Sequence, residues 1–288
     1  MKHFFALLLM LCLLVSALPA LGEVYVNKTP PEDWETRDLL RVTVFRTGEG
    51  DCMLLQAGGE NMMIDGGPYK YRESLRDALQ ARNISHFKYL FSTHPHDDHI
   101  DGLRMIMYYG FEVEEFVSMF PKNVHDTEGN QKKAMAVLDK MQIPFRQIAF
   151  GDELTLGGAG LTFYFWPEGR TLDAQCSITK LIYGDCSALF TADIIGDAQH
   201  HYLETLDPEV LKADVLKAPH HGLTAMVPDF LTAVDPAYIW VTNYSTRGYR
   251  IKNQGDFRKL PVQFSGDGTI ILECDGTDWY IHQTLRQF

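Results

Sequence analysis

Thr93-His94-Pro95-His96-Asp97-Asp98-His99-Ile100-Asp101-Gly102 packs three imidazoles and three carboxylates into ten residues, directly after an apolar run. Imidazole nitrogen and carboxylate oxygen are the donors that suit zinc, manganese or iron, and few enough are present to leave a position for water. His94 and His96, two apart, face one side of an extended chain, while Asp98 and His99 follow where the backbone turns into a helix. One short loop can therefore reach two metals. A helix cap would need one carboxylate and would explain none of the histidines.

The pattern H-x-H-x-D-H-x-D-G resembles the signature of the metallo-β-lactamase fold superfamily. The resemblance implies an α/β protein of four layers, an αββα sandwich with one or two divalent ions on its edge. Zinc is the first choice and manganese the alternative, and the reaction is hydrolysis by a metal-bound hydroxide. It assigns His94, His96, Asp98 and His99 to the metals, with Asp98 also counted as catalytic. In the superfamily a strand-end aspartate lies beneath this loop and orients it. Asp65, in Ile64-Asp65-Gly66-Gly67, takes that supporting role, and Asp101 is a helix cap or a second supporting group.

Other elements must bring the remaining donors. Residues 52–57 and 61–64 read as a hairpin about Gly58-Gly59. A helix over 71–82 leads into the apolar strand 89–91, which delivers His94. A second hairpin, 177–183 with 187–192, puts Asp193 at a strand end as the carboxylate to bridge two metals. The strand 215–218 runs into Pro219-His220-His221-Gly222. Here one histidine is placed as a ligand, for which His220 is taken, and His221 as proton donor or phosphate contact. His200 and His201 fall within a helix and outside the site. Many superfamily members supply one more histidine before the bridging aspartate; Gln175-Cys176 stands there instead, so Cys176 or His125 is the candidate replacement.

Four segments, Gly48-Glu49-Gly50-Asp51, Ile64 to Gly67, Thr93 to Gly102, and Thr191-Ala192-Asp193 with Lys217-Ala218-Pro219-His220-His221-Gly222, resemble the extracellular hydrolase domain of the ComEC branch and its secreted relatives. That branch is linked to phosphodiester cleavage, so the expected substrate is a phosphodiester in nucleic acid or a cell-envelope polymer. A lactamase- or lactonase-type hydrolase and a degenerate metal-binding module are the alternatives. Where the branch carries Gly-His-Pro, this chain reads Arg247-Gly248-Tyr249-Arg250-Ile251.

The chain as a whole sets the frame. Met1-Lys2-His3, an apolar run and Ala20-Leu21-Gly22 read as a secretory leader over 1–22, which places the protein outside the cell or on the envelope face, with no membrane span after cleavage. Residues 23–40, with paired prolines, read as an extended arm, and 41–288 as the hydrolase domain. A net charge of −12, one unit more negative without Lys2, disfavours general affinity for nucleic acid. A small molecule or polymer remains as partner, and Arg247, Arg250, Lys252, Arg258 and Lys259 are the local basic residues. Cys52, Cys176, Cys186 and Cys274 allow three ways of forming two bridges; buried thiols are the commoner reading for Cys52, Cys186 and Cys274 in or beside strands.

Overall fold

The computed structural model describes residues 22–288; apart from Gly22, the expected leader lies outside them. Alternation along the strands builds the architecture. In Cys52–Ala57, Cys52 and Leu54 join one apolar cluster while Met53 and Leu55 join another. In Tyr238–Val241, Tyr238 and Trp240 face that second cluster and Ile239 and Val241 a third. A strand that is apolar on both faces must be covered on both.

Two sheets follow from this. The first has the spatial order Val24–Val26, Trp279–Leu285, Gly268–Cys274, Leu40–Val44, Cys52–Ala57, Glu60–Gly66, His86–Ser92, Glu112–Ser118, Phe145–Gln147. The second runs Val262–Phe264, Tyr238–Val241, Val215–Lys217, Cys186–Phe190, Ile178–Tyr183, Ala159–Tyr164, Glu153–Leu156. Phe91, Phe163, Phe190, Trp240 and Leu272 fill the space between them. Arg72–Ala81, Asp97–Tyr108 and Asn130–Met141 cover the first sheet's outer face through Leu75, Leu103, Ile106 and Leu138. Gly196–Thr205, Pro228–Val234 and Tyr249–Arg258 cover the second through Tyr202, Phe230 and Ile251. Three apolar layers thus separate four layers of secondary structure, the αββα sandwich.

Two expectations change. The arm is built into the first sheet rather than laid on its surface: Val24–Val26 pairs parallel with Trp279–Leu285, and Trp34 is buried with its indole donating to Glu273. Cys186 and Cys274 are disulfide-bonded, tying the second sheet to the first, whereas Cys52 and Cys176 are free and buried. Sequence spacing could not choose a pairing because the two strands meet only across the sandwich. Among the described residues, no helix is long and apolar enough to cross a membrane.

Candidate metal centre

The site lies where the C-terminal ends of strands from both sheets meet, the usual place for chemistry in open α/β sheets. His86–Ser92 delivers the histidine loop, and the helix Asp97–Tyr108 begins within it, with His96 as the residue before the first turn. Two glycines set the approach of this helix to the strand Glu60–Gly66. A Cβ on Gly102 would sit 1.8 Å from the Gly66 carbonyl oxygen, and one on Gly66 would sit 2.2 Å from the Leu103 nitrogen. Any side chain there would push the loop away from the sheet.

Four side chains from three elements converge: Asp98, His99, Asp193 and His221. His221 Nε2 lies 3.0 Å from Asp193 Oδ2, 3.1 Å from Asp98 Oδ2 and 3.1 Å from His99 Nε2. His99 Nε2 lies 3.3 Å from Asp193 Oδ2 and 3.8 Å from Asp98 Oδ2. Four donors about 2.0–2.2 Å from one ion stand roughly 3.3–3.5 Å from each other, so these separations fit a divalent ion at the centre. A second set adjoins it. His94 Nε2 and His96 Nδ1 are 2.9 Å apart, and Asp173 Oδ1 stands 3.8 and 3.2 Å from them. Asp193 Oδ2, 4.0 Å from His94 Nε2, lies between the two sets.

The ring nitrogens that face away from the donors are fixed by partners. His99 Nδ1 is 2.8 Å from Asp65 Oδ2, and Asp65 also accepts from the Thr93 amide at 2.9 Å and its hydroxyl at 2.6 Å. His221 Nδ1 meets Thr242 Oγ1 at 2.9 Å and Asp51 Oδ1 at 3.3 Å, and that hydroxyl donates to Asp51 at 2.6 Å. Such contacts set the tautomer and leave Nε2 free to bind an ion.

Behind Asp193 stands a wholly buried lysine. Lys217 donates to the Ala192 carbonyl at 2.6 Å and lies 2.8 Å from Asp51 Oδ2 and 3.5 Å from Asp193 Oδ1. The Asp51 contact is an ion pair without hydrogen-bond alignment. Burial alone would push this ammonium down, but Asp51 and Asp193 hold it above its ordinary range. Both residues stand in the sequence motifs, yet nothing in their spacing joins them.

The electrostatics are those of an ion-binding cluster holding protons. Burial disfavours charge on His99 and His221, but Asp193 and Asp98 around His99, and Asp193, Asp51 and Asp98 around His221, raise both imidazoles well above their usual range. Burial likewise opposes charge on Asp98 and Asp193, and the neighbouring His99 and His221 hold both carboxyls well below theirs. His94 goes the other way, pushed well down by burial and by the neighbouring His99. A divalent ion replaces such protons with its own charge.

Several expected roles shift. His220, taken as the ligand, lies outside both sets, partly exposed, its Nδ1 without a hydrogen-bond partner; His221, taken as the proton donor, is the one buried among the donors. Both residues adopt left-handed backbone, φ 47° and 51°, which turns the chain so that the second imidazole points inward. Asp101 is no cap: it sits in the second turn of its helix and accepts from Arg104 at 2.8 Å. The Cys176 thiol donates to the Leu172 carbonyl, and His125 is exposed on a loop lining a separate cavity. Asp173, on the one-turn helix Leu172–Gln175, was not foreseen. His201 stacks on Trp166, away from the site. Of the basic stretch, Arg247 pairs with Glu49, beside Gly50 and Asp51, and Arg258 donates to Thr232.

Fold and donor sets together define a metal-dependent hydrolase with sites for one or two ions. The chain belongs to the metallo-beta-lactamase superfamily, whose family model matches residues 46–227. No curated protein matches it. Among solved structures, it is similar to CmlA, a diiron beta-hydroxylase from Streptomyces venezuelae, at 12% identity over 82% of this chain and 53% of that one, TM-score 0.52. It is also similar to the metallo-beta-lactamase fold protein YhfI from Bacillus subtilis, at 14% identity over 78% of this chain and 96% of that one, TM-score 0.51. Igni18, a metallo hydrolase from Ignicoccus hospitalis, matches at 14% identity over 80% of this chain and 98% of that one, TM-score 0.51. This chain thus spans 53% of the CmlA chain but nearly all of the other two. At these identities the likeness is one of fold.

Proposed function

We propose that the protein is an exported phosphodiester hydrolase that works with two divalent ions, zinc or manganese. The observation that carries the reading is Asp193 Oδ2, which lies within 4.0 Å of His94 Nε2 on one side and 3.3 Å of His99 Nε2 on the other. One set is His94 and His96, the other Asp98, His99 and His221, and Asp193 serves both. Bound ions supply Lewis acidity and lower the pKa of a coordinated water toward about 7.

The chain's own residues do the positioning. Asp65 and Asp51 hold His99 and His221 in one tautomer, and Lys217 fixes Asp193 from behind. Around the entrance, the loop Gly48-Glu49-Gly50-Asp51 carries the Glu49–Arg247 pair and packs against Tyr71 and Tyr244, whose hydroxyls are 3.2 Å apart. The Arg247 side chain is 62% exposed, so its guanidinium can turn to a phosphate oxygen, which it binds through paired N–H donors. In a chain of net charge −12, such a local cation is what an anionic substrate would meet. The resemblance of the loops to the ComEC branch supports the same substrate class.

Export is supported by the leader read over 1–22 and by the buried inter-sheet disulfide, which suits an oxidising compartment. The test is turnover of bis(p-nitrophenyl) phosphate by the metal-loaded protein, beside a chromogenic cephalosporin and an acyl lactone. Cleavage of the diester alone is expected. Turnover of the lactam or lactone alone would overturn the substrate class, and no turnover of any of them would favour a binding module.

A further inference from the structure

The first donor set is completed by a residue that no sequence pattern supplies. Asp173 Oδ1 lies 3.2 Å from His96 Nδ1 and 3.8 Å from His94 Nε2, the separations expected of three donors around one ion. That oxygen is buried and has no hydrogen-bond partner. A buried carboxylate oxygen without a donor costs free energy that a cation would offset.

Among the described residues no hydrogen bond engages Asp173 Oδ1, although His220 as well as His96 stands near this carboxylate. The helix Leu172–Gln175 is capped by Thr171, whose hydroxyl accepts from the Ala174 amide at 3.1 Å, so Asp173 is not needed as a cap. Gln175 donates to the Gly169 carbonyl at 2.7 Å, and Ala174 and Cys176 are buried in the second sheet's outer core. The turn is therefore anchored on both sides of Asp173, which leaves its side chain directed at the two histidines. The thiol and the histidine expected in this role are elsewhere.

We propose that Asp173 is the third protein ligand of the ion held by His94 and His96, and that this carboxylate, standing where a third imidazole would, lowers the centre's preference for Zn2+ over Mn2+. The inference rests on the two-ion reading above. With Asp193 shared, each ion meets two imidazoles and two carboxylates, His94, His96 and Asp173 on one side and Asp98, His99 and His221 on the other. Sulfur and a third imidazole, the donors that favour zinc most, are absent from both sets. Carboxylate oxygen is the donor type that suits manganese.

The test is competitive dialysis of metal-free protein against buffered Zn2+ with Mn2+ in stepped excess, since Zn2+ is the stronger binder at such a site, with bound ions counted by mass spectrometry and Mn2+ also read by electron paramagnetic resonance. Wild type is expected to hold about two ions, with Mn2+ entering as its excess rises, and the same Zn:Mn ratio in wild type and Asp173→His at every excess would overturn the lowered zinc preference. Asp173→Asn should lose one ion per chain. Asp173→His should keep both but raise the bound Zn:Mn ratio on the order of tenfold. Asp173→Glu, which keeps the carboxylate, should stay near the wild-type ratio and serves if the histidine variant does not fold. Two ions in Asp173→Asn with an unchanged ratio in Asp173→His would reduce Asp173 to an ion-pair partner of His96 and overturn the proposal alone. Wild type that binds neither ion would remove the two-ion reading and this inference together.

Discussion

Replacing Lys217 by methionine keeps most of the stem and removes the ammonium, its charge together with its hydrogen bond to the Ala192 carbonyl, so it tests what that buried group does. Its Nζ stands 2.8 Å from Asp51 Oδ2 and 3.5 Å from Asp193 Oδ1. At an effective dielectric near 20 those pairs are worth about 6 and about 5 kcal/mol of gross attraction. Desolvating three charged groups, at several kcal/mol each, consumes most of that, so the intact arrangement is close to neutral in net terms. The asymmetry appears when one partner goes. Asp51, wholly buried, would then keep Thr242, His221 and, at 4.0 Å, His99, and breaking a buried pair in this way costs about 3–5 kcal/mol. Urea unfolding of the metal-free Lys217→Met protein at pH 7 should show that loss with an unchanged m-value. The double variant with Asp51→Asn should lose at least about 2 kcal/mol less than the sum of the single losses, because no unpaired charge is left behind. A Lys217→Met loss below about 1 kcal/mol, or strict additivity, would refute the reasoning.

Asp65→Asn removes the carboxylate that fixes His99 Nδ1 and is expected to weaken ion binding about 10–100-fold while leaving the fold intact, as read by metal titration and circular dichroism. Reducing Cys186–Cys274, or replacing both by alanine, should cost about 2–5 kcal/mol, since the bond closes a loop with a sequence separation of 88 between the two sheets; matched urea curves check this. The pH dependence should cross over. His99 and His221 are raised in the folded state, so without metal their contribution is complete below the unfolded value near 6.5 and is lost as pH rises through the raised folded values. Ion binding must displace those protons and strengthens over the same rise. Melting temperature against pH should therefore fall above about 6.5 in chelator and hold or climb with metal; parallel curves would contradict the proton–metal exchange.

How much of this was legible in the sequence differs from residue to residue. The histidine loop announced itself because three imidazoles in so short a stretch have no common structural use. The hairpin Cys52–Ala57 with Glu60–Gly66 and the strand-end Asp65 were readable from alternation and paired glycines. Asp173 was not, because a four-residue helix carries no periodic signal and a lone aspartate between strands looks like any turn residue. The choice between His220 and His221 was closed to spacing: which of the two adjacent side chains points inward is set by the left-handed backbone that both take. Asp51 and Lys217 meet across the two sheets, a contact that no local pattern reports. Trp34 was lost in the arm because burial under a sheet edge depends on tertiary context, which a proline-rich stretch does not reveal.

The most direct test of the centre is the number of divalent ions bound per chain at saturation, in wild type and in His96→Ala and His221→Ala. The account predicts about two ions in wild type and about one in each variant, because each histidine belongs to a different donor set that shares only Asp193. A single ion in wild type that either substitution abolishes would contradict it, since one ion would then be using both sets.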